Sequence, residues 1–293
     1  LTTVPLFIFM GQIIFNADIG RDLYYAAYRW LGHRRGGLVL ATVPACALFG
    51  AITGVPTPAA VTMGKVALPE MKKYNYDTSL ATASVAAGGV LGVLIPPSVI
   101  FIIYGMATEQ SVGKLFIAGI LPGILLMLLY TGVIYLVTSR KPHLGPAGPK
   151  ASWQERFVAL RGGLGEVLVI FTISMGGLFA GYFTPTEAGA VGAAGVLGVA
   201  LLKRSLSWEG FMNSLKDATR TTAMIMLLIA GAMIFGRLMA ISRVPFELAQ
   251  WAGSLPLPPF AVMGVILLIY LILGCFIDAL AMILLTIPIF YPI

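Results

Sequence analysis

The stretch GGVLGVLIPPSVIF, residues 88–101, lies inside an apolar run long enough to cross a bilayer, yet it carries three glycines and two adjacent prolines. About 20 apolar residues span a hydrocarbon core of about 30 Å. Within that core a helix keeps its backbone groups paired, because lipid offers no substitute partner. Pro96 and Pro97 have no N–H, so the carbonyls four residues earlier, those of Gly92 and Val93, lose their helical donors. Gly88, Gly89 and Gly92 let the backbone unwind and let another backbone approach. The stretch therefore reads as a broken membrane helix whose freed carbonyls call for a cation or a polar partner. A kink that serves packing alone is the competing reading.

The rest of the chain has the same character. Of its 293 residues 58% are hydrophobic and 11% charged, with a mean hydropathy of +0.93, whereas a soluble domain carries about 25% charged residues. This is the composition of an all-α polytopic membrane protein, with no room between spans for a soluble domain of ordinary size. The net charge of +7 comes from basic residues dispersed over short connections, which fits positive-inside topology and not nucleic-acid binding. Cys46 and Cys275 lie far apart in apolar stretches, against a disulfide framework or a four-ligand zinc site. The two histidines, His33 and His143, fall in connections, and no HExxH, GxSxG or Walker-type loop occurs. A transporter without an ATP site draws on an ion gradient or a partner; a polytopic membrane enzyme is the reading from another class. The chain opens at LTTVPLFIFMGQIIF without a basic leader or initiating Met and ends at TIPIFYPI, so a fragment cut at both ends is expected.

Apolar segments fall at about residues 2–16, 37–69, 79–107, 115–138, 163–182, 186–202, 218–241 and 257–293. The connection from Arg140 to Arg161 holds KPHLGPAGPK and reads as a basic, Pro/Gly-rich cytoplasmic loop. By alternation, residues 105–114 face outside, while Lys72, Lys73 and the basic amphipathic stretch 21–35 face the cytoplasm, the latter as an interfacial helix. The segment 37–69 then leaves and returns on one side, as a re-entrant hairpin with its tip at AITGVPTPA, where Gly54, Pro56 and Pro58 break the helix. A similar order recurs: a span at 218–241, an amphipathic piece from Arg243 to Trp251, then a long apolar stretch broken near LGCFIDALA. Aligning residues 48–54 with 272–278 sets Gly50 on Gly274 and Gly54 on Asp278. Inverted-topology repeats with sites at broken helices follow from this pattern. The organisation expected is a first repeat over 1–138, a cytoplasmic linker over 139–162, connecting membrane helices over 163–217 and a truncated second repeat over 218–293.

Candidate ligands gather at the breaks. Pro56 and Pro58 free the carbonyls of Ile52 and Gly54, and Thr53, Thr57 and Ser98 add hydroxyls. Together with Gly92 and Val93 they make a mostly neutral oxygen cage, suited to a hard monovalent cation such as Na⁺; a divalent ion would recruit carboxylates. Asp278, the only acid from residue 257 onward, is a cation ligand, an N-cap for the helix starting at Ala279, or both. Glu187 in FTPTEAGAV completes a capping box with Thr184, with Pro185 at the first helical position, or serves transport. Arg237 and Arg243 either snorkel to the interface or meet an anionic substrate.

These residues also carry a family resemblance. The run 88–126, GGVLGVLIPPSVIFIIYGMATEQSVGKLFIAGILPGILL, closely resembles the large membrane subunit of tripartite ATP-independent periplasmic (TRAP) transporters, the DctM-like family. PLFIFMGQII, VALPEM at 66–71, GYFTPTEAGAVGA at 181–193, ATRTTAM at 218–224 and LGCFIDALAMILLTIPI at 273–289 extend it over essentially the whole chain. The resemblance implies a Na⁺-driven importer of organic acids, of C4-dicarboxylate, keto acid or sialic acid type, in the bacterial inner membrane. It implies two partners, a small DctQ-like membrane subunit and a periplasmic substrate-binding protein, and no cofactor beyond Na⁺ as coupling ion. It implies an elevator architecture with two hairpins and two unwound helices. By matching motifs it assigns Thr53, Gly54, Gly92, Pro96 and Ser98 to one Na⁺ site and Asp278 to a second, and gives Ser111, Glu187 and an Arg before the second hairpin a part in transport. The tip departs from the family, reading ITGVPTP where many members have a serine-rich ISGS-type tip, and the chain stops before the TPP-type motif of the second unwound helix. An ion-driven anion transporter of similar hairpin fold working without a binding protein is the nearest alternative.

Overall fold

Residues 37–53 are apolar on every side, and such a helix has to be enclosed by others. In the computed structural model, which describes residues 2–54, 56–148, 150–161, 163–254 and 258–291, this segment is the buried centre of one of two compact units. The first unit comprises residues 1–102 and 112–219, the second residues 103–111 and 220–293. Among the described residues every regular element is helical.

The first unit contains α1 (Thr3–Asn16), α2 (Ile19–Leu31), α3 (Gly37–Thr53), α4 (Pro56–Lys73) and α5 (Thr78–Leu94), then the first part of α6 (Val99–Ala107). It continues with α7 (Val112–Arg140), α8 (Trp153–Arg161), α9 (Gly163–Phe179), α10 (Pro185–Leu202) and the start of α11 (Trp208–Ser242). α3 packs most closely on α5 and is walled in by α1, α2, α4 and α7. α1 lies along α10, where Gly189 sits against Leu6 and Phe7 and Gly192 against Met10. Small residues of this kind let membrane helices approach closely. Two side-chain bonds pin the same bundle: the Thr3 and Thr186 hydroxyls at 2.7 Å, and Ser174 Oγ donating to the Ala188 carbonyl at 2.7 Å.

α2 turns away from α1 by 71° at Asp18, whose φ is 59°. It buries Ile19, Leu23, Tyr24 and Ala26 and exposes Arg21, Asp22 and Tyr25, the amphipathic pattern expected of it. The three basic connections that the charge pattern puts on one side of the membrane are bonded to one another. Gly36 N–H donates to the Gly145 carbonyl at 2.8 Å, Gly148 N–H to Gly32 at 2.9 Å and Asp77 N–H to Leu144 at 3.0 Å. Tyr76 adds its hydroxyl to the Pro146 carbonyl at 2.6 Å. The chain therefore enters α3 and leaves α4 at the same end, as a hairpin requires.

Two expected boundaries shift. The connection 140–161 is not all loop: it contains a short 3₁₀ turn at Pro142–Leu144 and the helix α8. Ser152 N–H donates to Glu155 Oε2 at 2.9 Å and Glu155 N–H to Ser152 Oγ at 3.2 Å, so the S-x-x-E of SWQE starts α8 as a capping box. α11 begins about three turns before the apolar run at 218, since Ser207 Oγ caps Gly210 N–H at 3.0 Å and the polar turns that follow remain helical.

The second unit holds the rest of α11, then α12 (Val244–Ser254), α13 (Pro259–Leu273) and α14 (Ala279–Phe290). α12 packs on α14, and Tyr270 ties α13 to α14 through the Thr286 hydroxyl at 2.6 Å and the Phe290 ring at 5.5 Å. Twice a helix is followed by a shorter one and then by two helices joined through a turn, as α1–α4 and as α11–α14, although α1 has 14 residues and α11 has 35. Each short helix is entered through a non-glycine residue in the left-handed region, Asp18 and Arg243, both at φ 59°. Among the described residues three single helices, α7, α10 and α11, are long and apolar enough to cross a membrane, and up to five spans result if the bent pairs α1–α2 and α5–α6 count as one each.

Candidate functional site

The expected break is present. α5 ends at Leu94, Ile95 is extended with ψ 122° and donates to the Leu91 carbonyl, and the helix resumes at Val99 after a bend of 41°. The Pro96–Pro97 bond is cis. Pro96, Pro97 and Ser98 are buried, and Ser98 Oγ caps the new helix by accepting from Phe101 N–H at 3.4 Å. Among the described residues no backbone N–H bonds to the carbonyls of Gly92 or Val93, as the missing proline donors require.

The hairpin tip sits directly on this break. α3 terminates through Gly54 at φ 66°, whose N–H returns to the Gly50 carbonyl at 2.8 Å. A glycine in the left-handed region is the ordinary way to end a helix. The Gly54 carbonyl then accepts from Val99 N–H at 3.1 Å, and a Cβ on Gly54 would stand 2.7 Å from the Pro97 carbonyl oxygen. The Gly54 carbonyl thus already accepts one hydrogen bond, from the first amide of α6, and keeps a second lone pair. The Ile52 carbonyl has no backbone donor among the described residues, since Pro56 stands where one would be.

Glycines set the approach of the two helices. A Cβ on Gly50 would lie 2.4 Å from the Gly92 Cα, so α3 and α5 cross backbone to backbone at this pair. Below it Gly88 faces Cys46, and Gly89 faces Ala60 of α4. On the other flank Gly11 of α1 abuts Thr53, whose hydroxyl points to the Gly50 carbonyl at 3.5 Å. Thr53 and Ser98 are 1% and 0% exposed, whereas Thr57 is exposed on the first turn of α4. No charged residue occurs between Gly36 and Gly64 or between Thr78 and Thr108. The junction therefore offers hydroxyl and carbonyl oxygens without a carboxylate, a donor set that suits a hard monovalent cation better than a divalent one.

Gly50 and Gly11 were missed by reading ligand types alone. For Gly50 the signal lies in the spacing: Gly50 with Gly54, the C-cap of α3, and Gly88 with Gly92 on α5 are small-xxx-small pairs, which mark close helix crossings in membranes, whereas Gly11 belongs to no such pair.

The remaining candidates occupy element ends. Asp278 is the N-cap of α14, accepting from Leu280 N–H at 3.0 Å, and is exposed within its unit. Glu187 closes the expected capping box: Thr184 donates its N–H at 2.8 Å and its hydroxyl at 2.9 Å to Glu187 Oε2, while Glu187 N–H reaches Thr184 Oγ1 at 3.3 Å. Ser111 is exposed immediately before α7, Arg237 is exposed on α11, and Arg243 forms the exposed corner between α11 and α12.

The family described as "Tripartite ATP-independent periplasmic transporter, DctM component" matches the chain over residues 1–293. The C4-dicarboxylate TRAP transporter large permease protein DctM of Pseudomonas aeruginosa is 37% identical over all of this chain and 68% of its own length. The ectoine/5-hydroxyectoine TRAP transporter large permease protein UehC of Ruegeria pomeroyi is 34% identical over all of this chain and 68% of its own. The isethionate TRAP transporter permease protein DctMQ of Oleidesulfovibrio alaskensis is 33% identical, again over the whole chain, which spans 46% of that longer protein. With its long apolar helices and this similarity from end to end, the chain is a multi-pass membrane transport protein and belongs to the DctM family of TRAP transporter large permeases.

Proposed function

We propose that this chain is the translocating part of a Na⁺-coupled importer of organic acids, with the first Na⁺ held where the α3–α4 tip meets the α5–α6 break. The observation that carries the reading is the direct bond from Val99 N–H to the Gly54 carbonyl, which joins the two broken elements in a buried, uncharged setting. Thr53 and Ser98 supply hydroxyl oxygens there, and Ile52, Gly92 and Val93 supply carbonyls that have no backbone donor among the described residues. Irregular backbone at membrane depth is tolerated where it is buried in protein or lines a cavity, and transporters place ions at such breaks. Gly54 contributes its αL turn and the second lone pair of its carbonyl, Pro96 withholds an N–H, and Thr57 offers its hydroxyl from the exposed first turn of α4.

In this reading α3–α4 and α13–α14 are re-entrant hairpins of two inverted repeats, and the carrier moves as an elevator in the bacterial inner membrane. Asp278 serves a second ion site, and Ser111, Glu187, Arg237 and Arg243 act in coupling or at the anionic substrate. Substrate is handed over by a periplasmic binding protein, and a small membrane subunit supports the scaffold. The relatives are named for C4-dicarboxylate, ectoine and isethionate at similar identities, small acids that each carry a carboxylate or sulfonate, so an organic acid is the class proposed and its identity rests with the binding protein.

The test is uptake by the full-length protein with both partners in proteoliposomes, across a panel of organic acids with and without an inward Na⁺ gradient. Ser98→Ala and Asp278→Asn should each weaken Na⁺-dependent uptake at unchanged protein level; Na⁺ dependence unaltered in both would sink the ion-site assignment.

A further inference from the structure

The corner where α2, α8 and α9 meet carries an arrangement to which none of the candidate transport residues belongs. Trp30 of α2 meets Trp153 and Phe157 of α8 edge-on, with ring centroids 6.2 and 6.0 Å apart. The Arg156 guanidinium lies 5.0 Å from the Trp153 ring and 6.0 Å from that of Trp30. Next to them, burial and the positive charges of Arg156, Arg34 and Lys150 hold the His33 imidazole below its ordinary value. The carboxylate of Glu155 on α8 is taken up by Arg29 at 3.9 Å and by the Ser152 N–H. Two donors at this corner, Trp30 Nε1–H and Arg156 Nε–H, are buried without an acceptor among the described residues. Unpaired buried donors and three cations around one imidazole both call for an anion.

The outer surface of the same corner is apolar. Trp153, Phe157 and Val158 are 66%, 56% and 61% exposed, and aromatic side chains beside cations are what a headgroup region takes up. Inward lies a cavity of about 400 Å³ with apolar walls, lined by Leu23 of α2, Ala51 and Ile52 of α3, Ile95 at the break, Met127 of α7 and Phe171 of α9. Leu23 and Trp30 are seven residues apart, hence on one stripe of α2 and about 10 Å apart along its axis. One helix face thus connects a cationic, aromatic end to a hydrocarbon-lined end.

We propose that this corner binds an anionic phospholipid, its phosphate held by Arg156, Lys150 and Arg34 and one acyl chain seated in the cavity. A chain in that position supports Ile52 against Ile95, the residues beside the hairpin tip and the break, so occupancy steadies the junction.

The test uses the purified full-length protein in detergent, with phosphatidylglycerol, phosphatidylcholine of the same chains, and inorganic phosphate as probes. Phosphatidylglycerol should raise the thermal midpoint by several degrees more than phosphatidylcholine, and phosphate alone should leave it unchanged. The double variant Arg156→Gln, Lys150→Gln should abolish the preference between the two lipids. Met127→Trp, which fills the cavity from α7, should reduce the shift from both lipids while the charge preference remains. Equal shifts from the two lipids, a shift from phosphate matching that from lipid, or a preference that survives the double variant each overturn the proposal. No shift from either lipid also defeats it, since the face would then be covered by protein.

Discussion

The two hairpins keep their tips in opposite ways. In α3–α4 the tip is a backbone construction: Gly54 turns through φ 66°, its carbonyl bonds Val99, and Gly50 lies against Gly92 with no room for a side chain. In α13–α14 the turn spans Gly274 to Asp278, Gly274 keeps helical angles at φ −63°, and the next helix is started by a side chain, the Asp278 carboxylate on Leu280 N–H. Phe276 in that turn is 85% exposed, whereas Thr53 and Gly54 of the first tip are buried. The first tip draws its geometry from a partner helix within its own unit; the second is shaped by local capping and leaves its surface available. A tip defined by close backbone contact tolerates almost no change of residue, while a capped tip tolerates most changes except at the cap.

The largest expected effect follows from the tightest contact. Gly50→Ala places a methyl group 2.4 Å from the Gly92 Cα, where only backbone can yield, so α3 and α5 must part. Overpacking of a close-packed site costs about 1–3 kcal/mol, and here the upper end is expected, read as a fall of the thermal midpoint in the full-length protein. Gly264→Ala on α13 provides the control, since nothing lies within 4 Å of its added methyl; helix propensity alone would make it neutral or stabilising by up to about 1 kcal/mol. Equal losses in the two variants would remove the contrast between the hairpins.

A comparison one step smaller sets the two turns against each other. Gly54→Ala forces a side chain into the left-handed region and towards the Pro97 carbonyl at 2.7 Å, a strain of order 1–3 kcal/mol. Asp278→Ala removes only a cap, about 1 kcal/mol. Stability measurements on both should therefore rank Gly54 above Asp278. Na⁺-dependent uptake tests the roles independently: a loss of coupling in Asp278→Asn without a loss of stability identifies a ligand rather than a cap.

How much of this was legible in the sequence follows the physics of each feature. Helix positions were readable, because apolar length and proline breaks are local properties: the break at Pro96 and Pro97, the hairpin turn at Gly54 and the capping box at Thr184 and Glu187 all stand where the sequence puts them. α8 was passed over although SWQE carries the same box, since the prolines and glycines just before it dominated that connection. What the sequence does not encode locally is which backbone meets which. The bond from Val99 N–H to the Gly54 carbonyl fixes one of that oxygen's two lone pairs, and no spacing rule predicts it. Thr57 shows the same limit from the other side, a hydroxyl of the right type two residues past the tip that turns outward with the first turn of α4.

The smallest expected effect bears on Glu187, where a cap and a transport role make different demands on one carboxylate. As a cap, Glu187 needs an acceptor oxygen for the Thr184 N–H and hydroxyl, at 2.8 and 2.9 Å. Glutamine retains that oxygen and loses only the charge, so Glu187→Gln should leave the thermal midpoint of the full-length protein essentially unchanged. Glu187→Ala removes the acceptor and should lower it, because the amides at the start of α10 then lose their partner. The pair separates the two roles. If uptake follows stability, intact in Gln and reduced in Ala, Glu187 is a cap and the transport assignment falls. If uptake drops in both while only Ala is destabilised, the charge itself acts in transport, and the start of α10 joins the hairpin tips as a place where a helix end carries function.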